Sequence, residues 1–349
     1  MKNLTVFTVS LLANVIIANA QNLLNKPEHV AYDAANQRYL VTNYGNGKII
    51  SIDQAENQEV IIEGLTGCLG IHIVDTTIFV SAGTNIYLFG LNTHTPLDTI
   101  TPEVSNWLDG MIDDGEGYLY AVENSGKIHR VNLADKSCEV IVNGGLPAYP
   151  QDLAFDSENN RLIVACWEVS SSIISIDLNS NQISNLLPTS SGQYDGIVMD
   201  GQKSIYVTSW LNSGRVYKWS FPYNDEPEII SQEHAGPAGL CYDLEHNLLV
   251  VPNFNGNSIS YITLSQTTAE IINRKPKIEI KGSYVSGICY EKTEISITNL
   301  LGRKIYNQCF ANQEIRIDLG ETLNRHGTGL YIVSIYSGND FYSLKYSIL

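Results

Sequence analysis

The sequence predicts an all-β protein, a six-bladed β-propeller followed by a small β-sandwich. Two observations carry the propeller. Asp109, Asp152 and Asp195 stand 43 residues apart, and Ala238 follows at the same interval. Each belongs to one recurring phrase: WLDGMIDDGEGYLYAV, PQDLAFDSENNRLIVA, YDGIVMDGQKSIYVT and PAGLCYDLEHNLLVV. A fixed period of roughly 40–50 residues, with alternating apolar residues and turn signals inside each unit, is the pattern of propeller blades. The second observation is negative: past the first 20 residues no stretch sustains a helical period. A single β-sandwich is the competing all-β fold, but sandwiches rarely carry so regular a long repeat.

Residues 1–20 read as a secretory signal peptide. Lys2 supplies the positive start, LTVFTVSLLANVIIA the short apolar core, and Ala18-Asn19-Ala20 a small-x-small cleavage site. No later run is apolar enough to cross a membrane once this segment is removed. Residues 21–275 form the propeller, with six repeats between about Glu28 and Arg274. The first repeat begins near Glu28 and the second near Leu69. Each unit reads as four short strands of alternating polarity. In the first repeat these are HVAYD, RYLVTN, KIISID and QEVIIEG; in the fifth, DGIVMD, SIYVTS, RVYKWSF and PEIISQE. Val, Ile, Tyr and Thr fill the strands, and Asn, Asp, Gly and Ser separate them.

Residues 276–349 break the beat and read as separate strands, among them KIEIKG, QEIRIDLG and DFYSLKYSIL. The segments Ile297-Thr298-Asn299-Leu300-Leu301-Gly302-Arg303 and Gly329-Leu330-Tyr331-Ile332-Val333-Ser334-Ile335, with Lys345 near the end, resemble the C-terminal sorting domain of proteins exported by type IX secretion. That resemblance implies a small β-sandwich read by the type IX machinery at an outer membrane. The mature protein is then secreted or attached to the outer surface.

Charge divides the chain in the same place. Residues 276–349 hold 8 basic and 7 acidic side chains, whereas 21–275 hold 12 and 30. So acidic a propeller repels phosphate backbones, which argues against nucleic acid, and attracts divalent cations and cationic ligands. Six cysteines, Cys68, Cys138, Cys166, Cys241, Cys289 and Cys309, match no zinc or redox spacing. Cys289 with Cys309 is a reasonable bridge in the tail, and Cys166 and Cys241 read as buried apolar residues.

In a propeller the loop before the innermost strand and the loop after the second lie on one face, so a site there draws on both. Glu28, Asp109, Gln151, Asp195 and Ala238 each stand five residues before the Asp that closes their inner strand: Asp33, Asp114, Asp156, Asp200 and Asp243. The second repeat lacks that Asp, which leaves Cys68 or Leu69 as its counterpart. Three carboxylates and an amide therefore converge on one channel mouth. Such oxygens suit a single Ca²⁺, Mg²⁺ or Mn²⁺ ion. Without a cation, one or more of the crowded carboxyls holds its proton to raised pH. Trp167 and Trp210 follow the second strands of two blades, and Trp107, Tyr149 and Tyr194 flank the residues at the mouth. Flat rings around a polar mouth suit sugars or aromatic ligands. Asn43, Asn212 and Asn253 read as turn residues, and His29, next along the strand from Glu28, is expected on the opposite side. No nucleophile elbow, zinc-protease helix, phosphate loop or dinucleotide fingerprint occurs.

The run Asp195-Gly196-Ile197-Val198-Met199-Asp200, with Glu28 and Gln151 at matching positions, is similar to the senescence-marker-protein/gluconolactonase family of six-bladed enzymes. The resemblance implies one divalent metal on Glu28, Gln151 and Asp195, a polar substrate contact at Asp109, and lactone hydrolysis. The cation would polarise the carbonyl, and Asp109 or Asp195 would take the proton. Two functions thus stand open. One is an exported propeller that binds a small molecule, carbohydrate or protein at the channel mouth. The other is a divalent-metal-dependent lactone or ester hydrolase.

Overall fold

The computed structural model describes residues 21–187, 191–264, 277–281, 284–288, 293–299, 304–310, 314–324, 329–337 and 340–348. The expected leader and Cys289 lie outside these. The first sheet contains β1 (Pro27–Asp33), β2 (Arg38–Asn43), β3 (Lys48–Asp53) and β4 (Gln58–Ile62). The second contains β5 (Cys68–Val74), β6 (Thr77–Ala82), β7 (Asn85–Gly90) and β8 (Pro96–Ile100). The third contains β9 (Leu108–Asp113), β10 (Tyr118–Glu123), β11 (Lys127–Asn132) and β12 (Cys138–Asn143). The fourth contains β13 (Pro150–Asp156), β14 (Arg161–Cys166), β15 (Ile173–Asp177) and β16 (Ile183–Leu187). The fifth contains β17 (Tyr194–Met199), β18 (Ile205–Ser209), β19 (Arg215–Trp219) and β20 (Glu228–Gln232). Five sheets are therefore four-stranded antiparallel meanders. The sixth has three strands among the described residues: β21 (Cys241–Asp243), β22 (Leu248–Asn253) and β23 (Ser258–Thr263).

Successive inner strands β1, β5, β9, β13, β17 and β21 are neighbours, and β21 returns to β1. Backbone bonds close the circle: Val30 N–H donates to Gly239 C=O at 3.2 Å and Gly239 N–H to Glu28 C=O at 2.8 Å. The propeller fold expected from the repeat is the fold observed.

The burial pattern departs from simple alternation. The second strands read RYLVTN, TIFVSA, YLYAVE and RLIVAC, and nearly every residue in them is buried. The reason is stacking. A blade lies between two others, so both faces of its middle strands are covered, as in a sheet packed on both sides. The outermost strands β8 and β12 lie open to water instead, each with a single fully buried residue, Ile100 and Val142. The apolar core is accordingly a series of inter-blade clusters. One joins Leu40 and Ile49 of the first blade to Ile71 and Ile78 of the second. Another joins Ala154 and Ile163 of the fourth to Ile197, Ile205 and Trp219 around the fifth.

The tail contains β24 (Lys277–Lys281), β25 (Tyr284–Ile288), β26 (Thr293–Asn299), β27 (Lys304–Phe310), β28 (Glu314–Asp318), the short helix α1 (Leu319–Asn324), β29 (Gly329–Ser337) and β30 (Asp340–Ile348). Two sheets, ordered β24-β25-β28 and β27-β26-β29-β30, share a core of Val285, Ile295, Ile297, Ile315, Ile317, Val333 and Ile335. The five described cysteines are free thiols; Cys166 is buried, and Cys241 is partly so. Among the described residues no helix is long and apolar enough to cross a membrane.

Candidate site at the channel mouth

Five of the six inner strands begin with the same irregularity. In β1, Pro27 pairs with Asn43 and Val30 with Val41, so Glu28 and His29 together oppose Thr42. The equivalent bulges place Leu69 and Gly70 opposite Ser81, Asp109 and Gly110 opposite Val122, and Asp195 and Gly196 opposite Thr208. In β13 the extra residue is Gln151, between Pro150 and Asp152. Two residues facing one break the pleat's alternation and turn both toward the channel. His29 therefore does not point away from Glu28, as strand alternation predicts. It enters the channel one layer below, with Nε2 3.4 Å from Asp152 Oδ2.

Two layers result. The upper one consists of Glu28, Leu69, Asp109, Gln151, Asp195 and Ala238, which settles Leu69 as the counterpart in the second repeat. The lower one consists of His29, Gly70, Gly110, Asp152, Gly196 and Gly239. Asp152 lies in this lower layer, because the 43-residue interval from Asp109 misses the register there by one. The glycines make room for the two side chains. A Cβ on Gly110 would strike Asp152, and one on Gly239 would strike the His29 ring.

Side-chain hydroxyls fasten the layers together. Thr42 Oγ1 accepts from His29 N–H at 2.9 Å and donates to Leu69 C=O of the next blade at 2.6 Å. Ser81 does the same between Gly70 N–H (2.7 Å) and Asp109 C=O (2.8 Å), and Thr208 between Gly196 N–H (2.7 Å) and Ala238 C=O (3.0 Å). The fourth blade has Ala165 in that position. There Asp152 Oδ2 makes the link instead, accepting from Ile197 N–H at 2.9 Å.

The structure brings Glu28, Asp109 and Asp195 together with Asp152. Burial, then the charges of Asp109, Asp195 and Asp152, pushes Glu28 well above the usual carboxyl range. Burial and the charges of Asp195 and Asp152 push Asp109 up, against an opposing pull from Asn124. Asp195 is pushed up to about 7 by burial and by Asp152, partly offset by the Trp210 indole and His29. Glu28 is 5% exposed, and its Oε2 has no hydrogen-bond partner. Trp210 Nε1–H donates to Asp195 Oδ2 at 2.9 Å, which fixes the indole over the mouth.

Above the carboxyls stands an aromatic collar, built from the residue after each second strand: Tyr44, Trp167, Trp210 and Phe254, with Gly83 and Asn124 in the other two blades. The amides of Tyr44, Trp167 and Trp210 donate to the residue before the paired inner strand, Lys26, Tyr149 and Gln193. Ring centroids follow one another at 6.1 Å (Trp107–Tyr44), 5.6 Å (Tyr44–Phe254), 5.7 Å (Phe254–Trp210) and 4.8 Å (Trp210–Trp167). Trp107 joins this arc by lying over Gly67. A pocket of about 380 Å³ sits inside, lined by Glu28, Leu69, Gln151 and Asp195 below and by Tyr44, Tyr149, Trp167, Trp210 and Phe254 around.

Trp167, Trp210 and Tyr149 thus lie on the pocket, and Trp107 lies at the end of the arc. Tyr194 does not reach it. As the first residue of β17 it is wholly buried, packed edge-on against Trp219. Sequence reasoning missed Tyr44 and Phe254. Both follow the Asn residues read as turns, Asn43 and Asn253, in the register already set by Trp167 and Trp210, and carrying that register through every blade finds them. As a metal cage the donor set fits poorly. Among the described residues no group of three or more His, Cys, Asp or Glu side chains is arranged to hold an ion. Gln151 would have to supply the third ligand, and its Nε2–H bonds Tyr149 C=O at 3.2 Å.

Comparison with known proteins assigns the tail and the fold. Residues 272–348 match the secretion system C-terminal sorting domain. The chain is thus a client of type IX secretion, secreted or held at the outer surface. No curated protein matches the chain. Among solved structures it is similar to a protein of unknown function from Bacteroides thetaiotaomicron, with a TM-score of 0.58 and 14% identity over 68% of each chain. A gluconolactonase from Xanthomonas campestris gives 0.57 and 11% over 66% of this chain and 84% of that one. Virginiamycin B lyase from Staphylococcus aureus gives 0.51 and 14% over 76% and 92%. At such identity the likeness is one of fold, and propellers of one fold host unrelated functions.

Proposed function

We propose that this is an exported binding protein whose channel mouth takes a small organic molecule or sugar. One observation carries the reading: the aromatic-walled pocket of about 380 Å³ over the Glu28 and Asp195 carboxyls. Concave, mostly apolar sites with a few convergent polar groups are the usual form of small-ligand pockets. The rings lie in mutual contact and Trp210 is bonded to Asp195, so the wall needs little ordering on binding, which favours affinity. A protein ligand would have to insert a side chain into the same pocket. Intrinsic fluorescence tests the reading, because Trp167 and Trp210 line the pocket while Trp219 is buried elsewhere. A bound ligand should change the emission of the wild-type chain. Trp210→Ala should weaken binding by about tenfold or more, as expected for loss of a buried aromatic anchor. A panel of sugars, aromatic amines and esters that leaves the emission unchanged counts against it.

A second reading, metal-dependent lactone hydrolysis, is favoured by the unpartnered Glu28 Oε2. Glu28, Gln151 and Asp195 would hold the cation, and the poor fit of that set keeps this reading second. Metal analysis of chelator-free protein decides it. A stoichiometric divalent ion lost in Glu28→Gln supports the hydrolase, and a metal-free protein that still binds ligand removes it.

A further inference from the structure

The chemistry of the mouth also narrows the class of ligand, provided that the mouth is the binding site. Four carboxyls, Glu28, Asp109, Asp152 and Asp195, are buried together. Among the described residues none of them is paired with a Lys or Arg; Asp152 has the His29 ring at 3.4 Å. Glu28 lines the floor of the pocket, and its Oε2 is buried there without a partner. The walls above are indole, phenol and phenyl rings with no basic side chain among them.

A ligand has to answer both features. A neutral sugar stacks on the rings but brings no charge to the carboxyls. A bare divalent ion answers the carboxyls, but the rings add no ligand atoms, and the acidic groups are not spaced as a cage. An organic ammonium answers both: its charge meets the buried carboxyl cluster that no Lys or Arg neutralises, its apolar body meets the rings, and the ring faces attract the cation directly. The collar rings already meet a cation within the chain. Lys26 Nζ lies 6.0 Å from the Tyr44 centroid and 5.6 Å from that of Phe254.

We propose that the channel mouth selects organic ammonium ligands, an amine or quaternary nitrogen on an apolar body, with the nitrogen over Glu28 and Asp195 and the body against Trp167, Trp210 and Phe254. Calorimetric titration of the full chain with 2-phenylethylammonium and with 2-phenylethanol, its neutral counterpart of the same shape, tests this. The ammonium should bind at least about tenfold more tightly, a difference of about 1.4 kcal/mol. Glu28→Gln should abolish that preference and leave the alcohol unaffected. The wild-type contrast does not depend on any variant folding, and a melting curve checks the variant. Equal binding of the two probes overturns the ammonium class and leaves the pocket standing. Binding of cellobiose with neither probe does the same. Stoichiometric Ca²⁺ that displaces the ammonium marks the carboxyls as a metal cage and overturns the inference. If no probe binds, the pocket reading falls with it.

Discussion

Glu28 and His29 are adjacent in the chain and both face the channel, because a bulge opposite Thr42 cancels the alternation that would have separated them. The five-residue interval to each strand-closing Asp places Glu28, Asp109, Gln151 and Asp195 in one position class; the bulge at each strand start adds His29 and Asp152 one layer below. The same crowding has a consequence for stability. The folded state keeps protons on Glu28, Asp109 and Asp195 that the unfolded chain has released. Unfolding therefore releases protons, and stability falls as pH rises. For Asp195 the loss begins above its ordinary value of 3.8 and is complete above about 7. Its size is on the order of a few kcal/mol. Urea melts from pH 4 to 8 should show this decline, and Asp195→Asn should flatten it. A wild-type curve that rises through that window would contradict the crowding.

Strands and their joints are the next scale. The Thr or Ser near the end of a second strand looks in the sequence like an ordinary β-former. In the fold, Thr42, Ser81 and Thr208 each bind the bulge of their own blade and the mouth residue of the next. Thr208→Val keeps the shape and leaves Gly196 N–H and Ala238 C=O buried without partners. The cost should be about 1–3 kcal/mol, measured by denaturant melting. The collar repeats the lesson: Tyr44 and Phe254 were legible once strand ends were aligned blade by blade. Tyr194 was misplaced because one residue of offset at a strand start separates a pocket wall from a core.

Across the whole molecule, the site exists because the ring closes. Glu28 belongs to the first blade, Asp195 to the fifth and Ala238 to the sixth, and the Val30–Gly239 and Gly239–Glu28 bonds bring the last blade back to the first. In hydrogen exchange the amides of Val30 and Gly239 should rank with those of the buried strand β10 among the slowest. Fast exchange there, with β10 still protected, would show a loosely closed ring. The blade count, the exported all-β architecture with its sorting tail and the position class of the mouth residues are all legible in the chain before it folds. Period, patterning and composition are local quantities that a chain displays directly. Which carboxyls share a pocket, which rings wall it and which are core emerges with folding. Those are distances between residues up to about two hundred positions apart in the chain, set by bulges and by closure.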